Sequence, residues 1–110
     1  MHRKEISFDL NTKALEQFYN SISTAYDDIR RELENHGFEH RQGSVYNSKL
    51  PMTDMQIAVI IDDLCKKLPW LSECSEQIDV TNIGQTHSLL SSVQIACSKY
   101  EDLKNQWGVR

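Results

Sequence analysis

At 110 residues the chain fits one domain with a single core, and a multi-domain organisation is not expected. A composition of 39% apolar and 25% charged residues is that of an ordinary globular protein and leaves no room for a disordered or membrane-embedded class. The net charge of −4, from 12 Lys/Arg against 16 Asp/Glu, argues against broad nonspecific binding to nucleic acid, which requires a basic surface.

The acid excess is uneven: residues 1–50 carry seven Lys/Arg against eight Asp/Glu, and residues 51–110 carry five against eight. Any phosphate contact must then be local and drawn from Arg30, Arg31, Arg41, Lys49, His36 and His40. The longest apolar run, Ile57 to Ile61, falls far short of the roughly 18 to 20 residues that span a bilayer. The charged start, Met1 to Glu5, leads into a strand pattern with no apolar leader core, so a cytoplasmic location without membrane contact is expected. Cys65, Cys74 and Cys97 are odd in number and widely spaced, which supports neither a disulfide framework nor a zinc site. All three read as small buried or half-buried hydrophobes.

The first predicted element is a strand over about residues 4–10. Ile6, Phe8 and Leu10 alternate with Ser7 and Asp9, which places the Asp9 carboxylate on the face away from the core. By residue type alone Asp9, Asn11 and Thr12 also read as turn and cap chemistry. Leu15, Phe18, Ile22, Ala25, Ile29 and Leu33 then recur at three- and four-residue steps, predicting one long amphipathic helix capped by Asn11 or Thr12 and stopped at Gly37. Tyr19 and Tyr26 border that stripe as packing residues.

Two strands follow, Phe38 to Gln42 and Ser44 to Tyr46, meeting near Gly43. Past Pro51, Thr53-x-x-Gln56 has the form of a capping box, opening a helix to about Lys67 with Ile57, Ile61, Leu64 and Leu68 inward. Pro69 ends it and Trp70-Leu71 anchor the connection. Ser75 to Ile83 reads as a fourth strand, with Ile78 and Val80 alternating against Asp79 and Thr81. Beyond Gly84, Leu90, Val93, Cys97, Tyr100 and Trp107 form the stripe of a third helix with Thr86 as its cap.

Strand, helix, strand, strand, helix, strand is the split βαβ order. The expected fold class is therefore α+β: a ferredoxin-like βαββαβ with an antiparallel sheet, two helices on one face and an extra C-terminal helix. The expected division is a domain over residues 1–84 and a helical extension over 85–110.

Phe8-Asp9-Leu10, Ala25-Tyr26-x-x-Ile29-Arg30 with Leu33, Gly37-Phe38, and Gln42-Gly43-Ser44-Val45-Tyr46 resemble the virulence-associated protein D (VapD) family, itself similar to the small CRISPR-associated nucleases of spacer acquisition. The likeness covers roughly residues 5–83. It implies a ferredoxin-like homodimer that acts as an endoribonuclease, often as the toxin of a toxin–antitoxin pair with a protein antitoxin as partner. It also implies that Asp9 is the acidic catalytic residue at the end of the first strand and that Gly43 to Tyr46, including Ser44 and Tyr46, belong to the site.

Two routes make that chemistry sensible. If open sheet faces pair about a two-fold axis, Asp9 and its symmetry mate could hold a divalent cation such as Mg²⁺ that activates water on RNA phosphate. Without metal, Asp9 or His40 could take the proton from a ribose 2′-hydroxyl, with Ser44 and Tyr46 donating to the phosphate. Arg41 would neutralise that phosphate, and Arg30, His40 and Gln42 would complete the RNA contacts. Ser44 has no Gly-x-Ser-x-Gly elbow, so serine nucleophile chemistry is rejected. Tyr46, Trp70 and Trp107 could stack on bases, though core packing is the simpler assignment for the tryptophans. The competing class is a noncatalytic homodimeric module that binds protein or RNA.

Overall fold

The alternation in the first strand fixes one side of a sheet as apolar, and the rest of the chain folds to cover that side. The computed structural model describes residues 1–84 and 88–107. In chain order these form β1 (Arg3–Leu10), α1 (Thr12–Leu15), α2 (Ile22–Asn35), β2 (Phe38–Gln42), β3 (Val45–Ser48), α3 (Asp54–Lys67), α4 (Leu71–Cys74), β4 (Ser75–Ile83), α5 (Leu90–Ser98) and α6 (Glu101–Trp107). The strands pair antiparallel in the order β2-β3-β1-β4, which is the ferredoxin-like arrangement. No described helix is long and apolar enough to cross a membrane.

Ile6, Phe8 and Leu10 of β1 are buried together with Ala25, Ile29 and Leu33 of α2 and Ile57, Ile60 and Leu64 of α3. One sheet face thus carries the helices, and the other is left open. Lys4 falls on the covered face and is buried, but its ammonium meets the Asp54 carboxylate at 2.8 Å and the side-chain oxygen of Asn82. A buried charge is tolerated there because it is paired and hydrogen-bonded.

Local signals set the boundaries. Both halves of the Thr53–Gln56 box form: the Gln56 amide donates to Thr53 Oγ1 at 3.1 Å, and the Thr53 amide donates to Gln56 Oε1 at 2.8 Å. Gly37 ends α2 at a φ of +85°, and Gly43 turns β2 into β3 at +47°, both in the left-handed region that glycine tolerates. Trp70 is buried in the connection, where its indole N–H donates to the Tyr19 hydroxyl at 3.0 Å.

Three expectations need correction. The long first helix is broken into α1 and α2, and Phe18 in the gap is exposed. The break falls at Asn20 and Ser21, residue types of low helix propensity, and Ser21 takes the N-cap position of α2 with its hydroxyl 2.8 Å from that of Ser23. Of the cysteines, Cys74 is buried as expected, whereas Cys65 and Cys97 are exposed. The C-terminal stripe forms two helices separated by Lys99 and Tyr100, and none of the residues described in α5 or α6 is buried. Thr86 lies outside the described residues, as does the side chain of Trp107.

Candidate active site on the open sheet face

Cross-strand register places side chains on the open face in rows. Glu39, Asn47, Glu5 and Thr81 form one row, and Gln42, Val45, Ser7 and Asp79 form the next. Asp9 faces Gln77 in the third. Directly opposed strand residues share a face, so these side chains make one polar floor.

Asp9 is exposed at the end of β1, as the alternation of that strand predicts. The β1–β4 register shifts immediately after it, between Asp9 and Leu10, so that Leu10 meets Ser75. Such an irregularity bends the strand and re-aims the neighbouring side chain, which is why bulges recur beside active sites. On the β4 side Asp9 borders a shallow cleft of about 170 Å³ with Ser7, Gln77 and Asp79, where Gln77 Nε2 donates to Asp79 Oδ2 at 2.6 Å. On the other side the Phe8 amide donates to the Ser44 carbonyl at 3.2 Å, which draws the Gly43-Ser44 turn against the end of β1. A second cleft on the same face is lined by Glu5, Arg41, Gln42, Val45 and Asn47. Arg41 is the cation in that lining.

The structure therefore brings Asp9, Arg41 and Gln42 to one face, whereas Ser44 is set against the end of β1 through its backbone carbonyl. It does not bring the remaining candidates with them. Tyr46 lies opposite Ile6 and His40, on the helix-covered side of the sheet. It is buried and stacks on Phe8 at a centroid distance of 5.9 Å. Burial pushes the Tyr46 hydroxyl above its ordinary value, with Arg30 opposing that shift. His40 packs against Tyr46, and its Nε2 donates to the Gly43 carbonyl at 2.8 Å, which assigns it to holding the β2–β3 turn. Arg30 is engaged on the outer surface of α2 by Glu34 at 2.9 Å. Trp70 is committed to the core.

Asp79 and Gln77 are the site residues that sequence reasoning passed over. The signal was present in part, since Asp79 alternates with Ile78 and Val80, but only the register with β1 sets it beside Asp9.

A separate group of ionisable side chains joins the helices. His36 Nε2 lies 2.7 Å from Asp63 Oδ2, and Lys67 Nζ lies 3.1 Å from Glu32 Oε2 and 3.4 Å from Asp63 Oδ2. Glu32, His36 and Asp63 have the donor types of a metal site. The Lys67 ammonium already supplies the cation, so the cluster works as an ion-pair network pinning α2 to α3.

Fold and site together define a ferredoxin-like α+β protein whose open sheet face carries carboxylates beside a local cationic group. No family model matches the chain. It is 37% identical over 75 residues to the endoribonuclease VapD of Helicobacter pylori, covering 66% of this chain and 79% of that protein. It is 29% identical over 90 residues to an endoribonuclease VapD homolog of the same organism, covering 82% and 95% of the two chains. Against endoribonuclease VapD 2 of Riemerella anatipestifer it is 28% identical over 90 residues, covering 80% and 96%. The chain belongs to the VapD family.

Proposed function

We propose that this chain is an endoribonuclease, a hydrolase of RNA phosphodiester bonds, that works on its open sheet face with Asp9 as the acting carboxylate. The observation that carries the reading is the position of Asp9: exposed at a bulged strand end, beside the Gly43-Ser44 turn and on the same floor as Arg41. Support comes from family membership, since the VapD relatives are named endoribonucleases.

A phosphate over this floor would meet Arg41 as its neutralising partner and Gln42 and Ser44 as hydrogen-bond donors. Asp9 would take the proton of the ribose 2′-hydroxyl as that oxygen attacks phosphorus, and the 5′-oxygen of the next nucleotide would leave. A positioned base of this kind contributes about 10²- to 10⁴-fold in rate. The donor set also fits a hard divalent ion: Asp9 and Asp79 offer carboxylate oxygens and Gln77 an amide oxygen, the ligand types Mg²⁺ prefers. Bound there, Mg²⁺ would stabilise negative charge on the phosphate and acidify a water molecule.

The protein is read as a cytoplasmic homodimer with paired open faces, which would place each Asp9 in a shared groove. The family resemblance further casts it as the toxin of a pair neutralised by a protein antitoxin.

The test is incubation of end-labelled RNA with the purified protein and with Asp9→Asn, with and without chelator. Cleavage by the parent and its loss in Asp9→Asn are expected. A 2′,3′-cyclic phosphate that persists under chelator marks the metal-free route, and chelator-sensitive cleavage without cyclic product marks metal-activated water. Intact RNA with the parent protein under every condition would instead favour a noncatalytic binding module.

A further inference from the structure

The ion-pair network between α2 and α3 has the make-up of a metal site in which an ammonium holds the place of the metal. Glu32 and His36 stand four residues apart at the end of α2, hence on one helix face, and Asp63 lies in the last turn of α3. One ligand atom from each lies within 4.8 Å of the other two. Around a tetrahedral zinc ion the ligand atoms stand roughly 3.3 Å apart, so an adjustment of about 1 Å in each side chain closes the site. His36 is held for this role as the C-cap of α2, its amide bonded to the Leu33 and Glu34 carbonyls and Gly37 turning the chain directly behind it. Both helices end here, and helix C-termini carry partial negative charge that favours a cation.

Lys67 fills that place loosely. Its Nζ lies 3.1 Å from Glu32 Oε2, yet that oxygen is buried without an aligned hydrogen bond. A buried acceptor left in this condition is costly, and a bond to a metal removes the cost. The Lys67 side chain is half exposed and its four-carbon stem is flexible, so the ammonium can turn out to solvent. Charge favours the exchange. Glu32 and Asp63 set two negative charges against the one positive charge of Lys67, and a divalent ion in place of the ammonium makes the cluster neutral.

We infer that Glu32, His36 and Asp63 bind one divalent transition-metal ion of the zinc type, which displaces Lys67 to solvent and clasps α2 to α3. The imidazole nitrogen selects this class over Mg²⁺ and Ca²⁺, which prefer oxygen ligands alone. The His36 and Asp63 side chains are 25% and 33% exposed, which gives the ion a way in and leaves room for a water molecule as the fourth ligand. The site belongs to the helix layer, on the side of the sheet away from Asp9. The inference therefore goes beyond the nuclease reading, and its readouts involve no RNA.

The test is calorimetric titration of the untagged full chain with Zn²⁺, with melting curves reporting on the clasp. The parent should take up one ion per chain, and its melting temperature should rise with Zn²⁺ but not with the same concentration of Mg²⁺. His36→Ala should weaken Zn²⁺ binding by about tenfold or more, at least the loss that follows removal of a supporting outer-shell group. Glu32→Gln, which keeps the size of the side chain, repeats the comparison if His36→Ala does not fold. Lys67→Met should tighten binding, because it removes the competing ammonium, whereas an ion-pair network that only joins the helices gains nothing from it. Cys65→Ser with Cys97→Ser, which removes both exposed thiols, should leave binding unchanged. The inference is overturned if the parent binds no Zn²⁺, if Mg²⁺ stabilises it equally, or if His36→Ala and Glu32→Gln bind as well as the parent. Loss of binding with the two thiols, or Lys67→Met binding no more tightly than the parent, overturns it as well.

Discussion

Asp9 and Asp79 stand diagonally across the β1–β4 pair, one opposite Gln77 and the other opposite Ser7, so two carboxylates face a single cleft on the open side of the sheet. Diagonal neighbours lie within about 7 to 8 Å of each other, so both carboxylates can border one phosphate. We expect Asp9→Asn to lower RNA cleavage by about 100-fold or more, the lower bound of what a positioned base contributes. Asp79→Asn should lower it by roughly tenfold, and the double variant should be no worse than Asp9→Asn, because groups acting as a unit are not additive. Single-turnover cleavage of labelled RNA measures all three. Since Asp9 is exposed, its substitution should leave the melting temperature within a degree or two. Multiplying losses in the double variant would show that the two acids act independently.

Tyr46 provides a contrasting case. Its ring is buried between Phe8 and His40 on the covered face, opposite the side on which Asp9 emerges. Tyr46→Phe keeps the ring and should leave cleavage within about twofold of the parent. Tyr46→Ala should destabilise the fold by about 3 to 5 kcal/mol, the cost of emptying an aromatic site in a packed core. Chemical denaturation and the cleavage assay separate the two effects. A large loss of activity in a stable Tyr46→Phe protein would place the hydroxyl in the chemistry after all.

These two residues show how much of the candidate site is legible in the sequence. The alternation Ile6-Ser7-Phe8-Asp9-Leu10 is local, so the outward direction of Asp9 follows from chain geometry alone. The face of Tyr46 and the proximity of Asp79 depend on register between strands far apart in sequence, and a slip of one residue reverses every side chain. The Thr53–Gln56 box and the turns at Gly37 and Gly43 were readable because each is complete within a few residues. The break between α1 and α2 was not, since Leu15, Phe18 and Ile22 keep helical spacing across it. The stripe beyond Gly84 was visible as apolar periodicity, but periodicity does not say what surface it meets.

Acid should weaken the contacts between elements through two carboxyls. His36, assisted by Lys67, holds the Asp63 carboxyl below its ordinary value of 3.8, and Lys4 does the same for Asp54. A group depressed in the folded state stabilises it above the unfolded value and loses that contribution as pH falls through the folded value. The melting temperature should therefore be insensitive to these two groups between pH 7 and 5 and should drop below about pH 4. Asp63→Asn combined with Asp54→Asn should start from a lower plateau and fall less steeply in acid. Melting curves from pH 7 to pH 2.5 provide the comparison, and parallel acid limbs for parent and variant would rule out the assignment.

The connection between α3 and β4 hangs on a relay of side chains. Trp70 Nε1 donates to the Tyr19 hydroxyl at 3.0 Å, and that hydroxyl donates to Asp28 Oδ2 at 2.7 Å. Burial and the bond to Asp28 both hold the Tyr19 phenol above its ordinary value, so it stays a neutral donor throughout the physiological range. Tyr19→Phe keeps the edge-on packing against Trp70 but leaves the indole N–H without its acceptor, while Asp28 loses the phenolic donor to Oδ2 and keeps Arg31 on Oδ1. The unpaired indole costs about 1 to 3 kcal/mol where water cannot reach it. Urea denaturation followed by tryptophan fluorescence should show a lower midpoint with an unchanged slope, because the surface exposed on unfolding is the same. Tyr19→Ala should cost more, since it also removes the ring that covers Trp70. Equal midpoints for the parent and Tyr19→Phe would mean that water satisfies the indole and that packing alone secures the connection.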